Sequence, residues 1–136
     1  MPDPLIRLRA LCLALPDVTE RQSHGEPAWF VRGRTALATF ADHHHDDRVA
    51  CWMAAPEGAQ ELWVEADPTR FFVPPYVGRR GWLGVRLDGD VDWEHLAELV
   101  TDAYRTVAPP RLVYELESRL GDQPRELPGR PPGGPA

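Results

Sequence analysis

The densest run of possible metal ligands in this sequence is Asp42-His43-His44-His45-Asp46-Asp47. Imidazole and carboxylate groups both bind first-row metal ions. Consecutive residues of one turn cannot all point at the same ion, however, and a well-formed site takes its ligands from separate elements. We therefore interpret residues 42–47 as a solvated hairpin loop with at most adventitious affinity for Ni²⁺ or Zn²⁺. We assign no metal ligand and no cofactor.

Catalytic groups are sparse elsewhere in the chain. His24 and Glu26 could act as a general base with an orienting carboxylate, but an extended backbone alternates its side chains between two faces, so we predict that they do not touch. Cys12 and Cys51 lie among apolar residues, which favours buried, unreactive thiols over a disulfide framework or a nucleophile. The sequence contains no G-x-S-x-G, P-loop or G-x-G-x-x-G motif. We predict a protein that is not an enzyme.

The positive charge of the chain is carried by arginines, which we place mainly in the predicted strands and loops, whereas the predicted helices 57–67 and 92–107 are acidic. The net charge of −6 opposes general affinity for nucleic acid, so any such interface must be a local patch. Two short loops carry pairs of arginines, and the second loop also has aromatic residues that could stack on unpaired bases. The predicted nucleic-acid-binding residues are Arg32, Arg34, Arg79, Arg80 and Trp82. The alternative is that these are ordinary loop arginines paired with nearby acids.

Aromatic residues suggest a second kind of site. Residues 71–82 are unusually aromatic, and together with strand residues they could line a pocket for a planar small molecule, so that the protein binds or sequesters a ligand. The predicted pocket residues are His24, Trp29, Tyr76 and Trp82. Packing of a hydrophobic core would explain most of these rings equally well.

These candidate residues must be positioned by a mixture of helices and strands. Asp3 and Pro4 are typical of a helix start, and apolar residues then recur at three- and four-residue steps to Leu15. Residues 28–31, 35–40 and 49–53 are predicted to be strands, joined by a tight hairpin at 32–34. Further helices are predicted over 56–67, from a cap at Asp92 to Val107, and over 111–120, with a loop and a strand between 70 and 87. This order predicts an α+β fold, an antiparallel sheet with helices packed on one face.

The length of 136 residues and the 43% hydrophobic content predict one domain, residues 1–120. Residues 121–136 are rich in proline and glycine, which predicts a disordered tail. No apolar stretch approaches the roughly 20 residues needed to cross a bilayer, and the N-terminus lacks a basic signal region, so we predict a cytoplasmic protein. The oligomeric state is left open.

Several short motifs together resemble the MmcQ/YjbR family. They are LALPDVTE at 13–20 after the first helix, HGEP at 24–27, AWFVRGR at 28–34, PE at 56–57, RRGWLGVRL at 79–87 and the closing helix 96–104. The chain departs from the family in its Gly-Arg-Arg-Gly loop at 78–81, where a lysine-rich loop is common, and in the polar hairpin 42–48.

The resemblance implies a frataxin-like (CyaY-like) two-layer sandwich and a DNA-binding protein of the double-wing type. It would place Arg32 and Arg34 in one wing, and Arg79 and Arg80 in the loop before Trp82. By analogy with that fold, metal binding through the acidic helices is a third possibility.

Overall fold

The computed structural model describes residues 3–43 and 48–122. Within them the chain forms a sheet of six strands with four helices. The elements, in chain order, are α1 (Pro4–Leu13), β1 (Val18–Ser23), β2 (Glu26–Val31), β3 (Thr35–Asp42), β4 (Val49–Met53), α2 (Ala59–Ala66), β5 (Phe71–Phe72), a 3₁₀ turn (Gly78–Arg80), β6 (Leu83–Arg86), α3 (Trp93–Val107) and α4 (Pro110–Asp122).

The strand order in the sheet is β1-β2-β3-β4-β6-β5, and every neighbouring pair is antiparallel. The predicted α+β class, an antiparallel sheet with helices packed on it, is therefore confirmed. Two edge strands were not predicted from the sequence. β1 is mostly polar and β5 is two residues long, so neither has a clear alternating pattern.

The helix starts follow local capping chemistry. The Asp3 carboxylate accepts a hydrogen bond from the Leu5 backbone N–H at 2.9 Å, and Asp92 accepts one from the His95 N–H at 3.1 Å, as predicted. α2 begins three residues later than the predicted Pro56, because Gly58 adopts a left-handed conformation (φ 85°) as its cap.

One face of the sheet packs against α1 and α3, and we call it the covered face. Cross-strand partners share a face, so the register sets one row of this face across five strands: Glu20, Trp29, Ala38, Met53 and Leu83. The Trp29 indole N–H donates to Glu20 Oε1 at 2.9 Å, and the Arg9 guanidinium of α1 donates twice to the same carboxylate. α3 is anchored by its buried Tyr104, whose hydroxyl donates to the Pro16 carbonyl at 2.7 Å.

The opposite face, which we call the open face, presents its own row across all six strands: Arg21, Ala28, Thr39, Trp52, Gly84 and Phe72. At Gly84 the side chain must be absent, because a Cβ there would lie 2.5 Å from the Phe72 ring. A β-bulge next to this row pairs Trp29 with Ala38 but Phe30 with Ala36, so Leu37 is the extra residue.

No helix within residues 3–43 and 48–122 is long and apolar enough to cross a membrane. The final helix continues to Asp122. The remainder of the predicted tail, 123–136, and four residues of the predicted histidine loop, 44–47, lie outside the described residues.

Candidate functional site

A cavity of about 670 Å³ lies over the open face of the sheet. Its floor comes from strands β2, β3 and β4, one end from the turn between β1 and β2, and one wall from the segment that precedes β6. The lining residues are Ser23, His24, Glu26, Ala28, Phe30, Ala36, Ala38, Thr39, Phe40, Trp52, Tyr76, Val77, Arg80 and Trp82. The cavity therefore has an aromatic floor and a small number of polar groups.

The wall of the cavity is a loop, Val73–Trp82, that is held in place by Gln60 of α2. The buried Gln60 amide donates hydrogen bonds of 2.7 Å to the carbonyls of both Gly78 and Trp82. Tyr76 adopts a left-handed conformation (φ 65°) and its side chain is 71% exposed. The two Gln60 bonds thus fix the ends of the segment that carries Arg80 into the cavity.

Arginines cover several of the rings on the open face. The Arg21 guanidinium lies 3.6 Å from the centre of the Phe30 ring, and that of Arg80 lies 5.4 Å from the Trp82 ring. Arg21 also donates to the Gly33 carbonyl at 2.8 Å. A guanidinium within about 6 Å of a ring centre is attracted by the negative face of the ring. Positive charge therefore lies beside the aromatic floor of the cavity.

His24 and Glu26 both line the cavity. His24 and Gly25 have positive φ and form the turn between β1 and β2, so this segment is not the extended backbone that the sequence prediction assumed. Glu26 Oε2 accepts a hydrogen bond of 2.8 Å from the Asp42 backbone N–H. Among the described residues no hydrogen bond joins His24 to a carboxylate. The two groups therefore line the same cavity without forming a base-and-orienter pair.

Of the predicted nucleic-acid-binding residues, Arg80 and Trp82 line the cavity, whereas Arg32, Arg34 and Arg79 do not. Arg32 and Gly33 both have positive φ, which makes the predicted tight hairpin a type I′ turn. This turn and the loop before β6 leave the sheet at the same end, because β4 lies between them with its last residue, Met53, paired to Leu83. No ion pair links any of these four arginines to a carboxylate within the described part of the chain.

Of the predicted pocket residues, His24, Tyr76 and Trp82 line the cavity. Trp29 is fully buried in the covered face, with its indole N–H bonded to Glu20. Phe30 and Thr39 were not among the predicted pocket residues, although strand alternation would place Phe30 on the same face as Ala28. Gln60 had no recognisable signal, because its role depends on a loop some 20 residues away in the sequence.

The remaining candidates for chemistry lie away from the cavity. Cys12 and Cys51 are buried free thiols, and burial raises the pKa of both, which disfavours the reactive thiolate. The His43 ring bonds to the Asp42 carboxylate at 2.5 Å. Outside the undescribed segments, no three His, Cys, Asp or Glu side chains are grouped closely enough to hold a metal ion.

Comparison with known proteins places the fold. Residues 13–106 match the family described as YjbR. The structure is similar to the crystal structure of Deinococcus radiodurans protein DR2400, a DUF419 domain, with a TM-score of 0.66 and 21% identity over 95% of this chain and 97% of that one. At that identity the likeness concerns the fold alone. The comparison with curated proteins gave no match.

Proposed function

The chain belongs to the YjbR family, and from its geometry we propose that it is a binding protein that holds a planar, largely apolar small molecule in the cavity on the open face. The aromatic floor of this cavity carries the proposal. A cavity of about 670 Å³ lies within the range of roughly 300–1,000 Å³ that is typical of small-molecule sites. Trp52 and Trp82 line the cavity with apolar ring surface against which a ring system can pack, and the Phe30 ring beside them carries the Arg21 guanidinium.

We expect binding without catalysis. The two thiols are buried on the other side of the sheet and their pKa values are raised. His24 has no orienting carboxylate among the described residues, and the Glu26 carboxylate is already engaged by a backbone N–H. The polar groups of the cavity are therefore suited to orienting a ligand.

The test uses N-phenyl-1-naphthylamine, an uncharged planar probe whose fluorescence increases in apolar surroundings. We expect saturable binding, accompanied by a change in tryptophan emission because Trp52 and Trp82 line the cavity. Ala36→Phe should weaken this binding, since the half-buried Ala36 lines the cavity and a phenyl ring there would occupy part of the space over its floor.

Ala10→Phe is the matched control, because it adds the same ring at an exposed position of α1. It should bind the probe as the parent protein does. Absence of saturable binding to the parent protein, or undiminished binding to a folded Ala36→Phe variant, would contradict the proposal.

Nucleic-acid binding is the second candidate, and one observation favours it. Arg32, Arg34, Arg79 and Arg80 project from loops at one end of the sheet, are exposed, and have no carboxylate partner among the described residues. The exposed ring of Tyr76 lies in the second of these loops. Such an arrangement suits phosphate contacts combined with stacking on an unpaired base.

Anisotropy of a fluorescein-labelled oligo(dT) strand tests this candidate. Affinity should fall with salt, and Arg79→Glu/Arg80→Glu should weaken it and reduce the log–log salt slope by about 0.7 for each phosphate that the variant no longer neutralises. Arg111→Glu, at an exposed position near the start of α4, is the control for charge reversal. Absence of association at low salt, or equal losses of affinity in the test and control variants, would exclude this function.

A further inference from the structure

We infer that the ligand of the cavity is an aromatic acid, a planar ring system bearing one anionic group, and that Arg80 recognises the anion. This inference rests on the proposed small-molecule function and narrows it to a chemical class. Arg80 supplies the formal positive charge among the described residues that line the cavity. Its guanidinium lies beside the Trp82 ring, so an acid bonded to Arg80 would place its rings against the aromatic floor.

Arg80 is available to a ligand. The Arg80 side chain contacts the Trp82 ring, and no carboxylate within residues 3–43 and 48–122 forms an ion pair with it. By contrast, Arg86 is bonded through two nitrogens to Asp88, and Arg105 is bonded to Glu117 and Asp102. A planar guanidinium with free N–H groups matches the two oxygens of a carboxylate or sulfonate.

The segment around Arg80 is fixed before any ligand binds. Gln60 bonds the carbonyls of Gly78 and Trp82 on either side of Arg80, and the Arg80 N–H donates to the Val77 carbonyl at 3.0 Å. Such fixing reduces the ordering cost of binding. It also directs the anion to one end of the cavity.

The negative group of the cavity lies at the other end. Glu26 is two residues from Ala28 along β2, and Trp82 is two residues from Gly84 on the opposite side of the same cross-strand row. Standard strand geometry therefore separates the backbones of Glu26 and Trp82 by ~14 Å along the strands and ~14 Å across them. The carboxylate of Glu26 would repel an anion from its own end, so the charge pattern orients an acidic ligand in one direction.

Two matched probes test the inference: 8-anilinonaphthalene-1-sulfonate and N-phenyl-1-naphthylamine, which share one ring system and differ in the sulfonate. We expect Arg80→Gln to weaken binding of the sulfonate about tenfold, the effect of losing a charge-assisted hydrogen bond at a partly exposed site. Binding of the uncharged probe should change less than about twofold. Arg80→Lys should retain part of the affinity for the sulfonate because it keeps the charge.

Arg79→Gln is the control, since Arg79 is the adjacent exposed arginine and does not line the cavity. It should leave both affinities unchanged, and circular dichroism should show all variants folded. Equal effects of Arg80→Gln on the two probes, or no effect on either, would overturn the aromatic-acid inference while the proposed function stands. If neither probe binds the parent protein, the proposed function fails together with the inference.

Discussion

The aromatic residues on the two faces of the sheet differ in their burial and in the groups around them. On the covered face, Trp29 and Tyr104 are fully buried and each polar atom has a specific partner, Glu20 in one case and the Pro16 carbonyl in the other. On the open face, Phe30 and Trp82 lie next to a cavity and under arginines. The same residue types therefore build a core sealed by helices on one side and the lining of a cavity on the other.

The difference shows that aromatic content alone does not identify a site. Tightly packed aromatic residues, such as those beneath the helices of the covered face, contribute chiefly to stability, because protein interiors are packed nearly as densely as organic crystals. Rings beside a cavity and charged groups can contribute to recognition instead. We therefore expect substitutions on the covered face to lower stability and those lining the cavity to lower ligand affinity.

Leu37→Ala compared with Tyr76→Ala should give the largest contrast. Leu37 is fully buried at the bulge, so its truncation should lower the free energy of unfolding by about 3 kcal/mol. Tyr76 is 71% exposed, and its truncation should cost less than about 1 kcal/mol while weakening binding of N-phenyl-1-naphthylamine. Urea denaturation measures both variants, and equal losses of stability would show that the loop belongs to the core.

Gln60→Met should have the next largest effect, because Gln60 contributes both to the stability of the fold and to the position of the cavity wall. The substitution keeps the length of the side chain but removes hydrogen bonds to two buried carbonyl groups, at a cost of about 2 kcal/mol. Probe binding should weaken as well, since the segment carrying Arg80 loses its anchor. Glu61→Gln, at the exposed neighbouring position, is the control for both measurements. Unchanged probe affinity in Gln60→Met would show that the loop keeps its position without this residue.

Tyr104→Phe should have a smaller effect that depends on pH. Below pH 10 the loss of the bond to Pro16 should cost about 1 kcal/mol. Burial raises the pKa of Tyr104 to about 12 from its usual value of 10.0. The unfolded chain therefore loses this proton first, and the stability that depends on the neutral phenol should be lost as pH rises from 10 to 12.

The check is the free energy of unfolding from urea denaturation at several pH values between 8 and 11. The difference in the free energy of unfolding between the parent protein and Tyr104→Phe should become smaller towards high pH. Tyr114→Phe, at a residue that is 76% exposed, should show neither the initial loss nor the narrowing. A gap that stays constant with pH would indicate that Tyr104 does not titrate differently in the folded state.

Glu20→Gln should have the smallest effect, because the amide oxygen can still accept the Trp29 indole N–H and only the charge that pairs with Arg9 of α1 is lost. The hydrogen bond from Arg9 lowers the pKa of Glu20 below its usual 4.5, against the opposing effect of burial. The resulting stability is present above pH 4.5 and is lost as pH falls through the folded-state pKa. The advantage of the parent protein over Glu20→Gln should thus shrink between pH 5 and 3, whereas Glu98→Gln, at an exposed position of α3, should show no such trend. If the difference in the free energy of unfolding between the parent protein and Glu20→Gln stays constant with pH, the Arg9–Glu20 ion pair is not its cause.

Prediction from sequence succeeded where the determining contacts are local. α3 runs to Val107 from a cap at Asp92, as its apolar repeat and capping residue indicate. The turn at Arg32 and Gly33 likewise follows from a glycine between two short strands. Helix caps and two-residue turns depend on residues only a few positions apart, so a single sequence contains the relevant information.

Prediction failed where contacts are distant in the sequence. β1 is stabilised as an edge strand by pairing with β2, although its residues are largely polar. Of the four predicted arginines, Arg80 alone lines the cavity, although Arg79 and Arg80 both lie in the segment between the two carbonyls that Gln60 bonds, and no local pattern separates them. Trp29 and Phe30 lie on opposite faces, as adjacent strand residues do, but which of those faces is covered is decided by the packing of α1 and α3 against the sheet.

An α+β chain with its helices, its main strands and a tight arginine hairpin follows from the order of residues alone, because periodicity and capping act over a few residues. Which aromatic residues are sealed beneath helices, and which line a cavity, follows from the folded arrangement. That choice depends on strand register and on the buried Gln60, whose bonds join α2 to the loop before β6. Such contacts link residues about 20 positions apart, and local propensity carries no information about them.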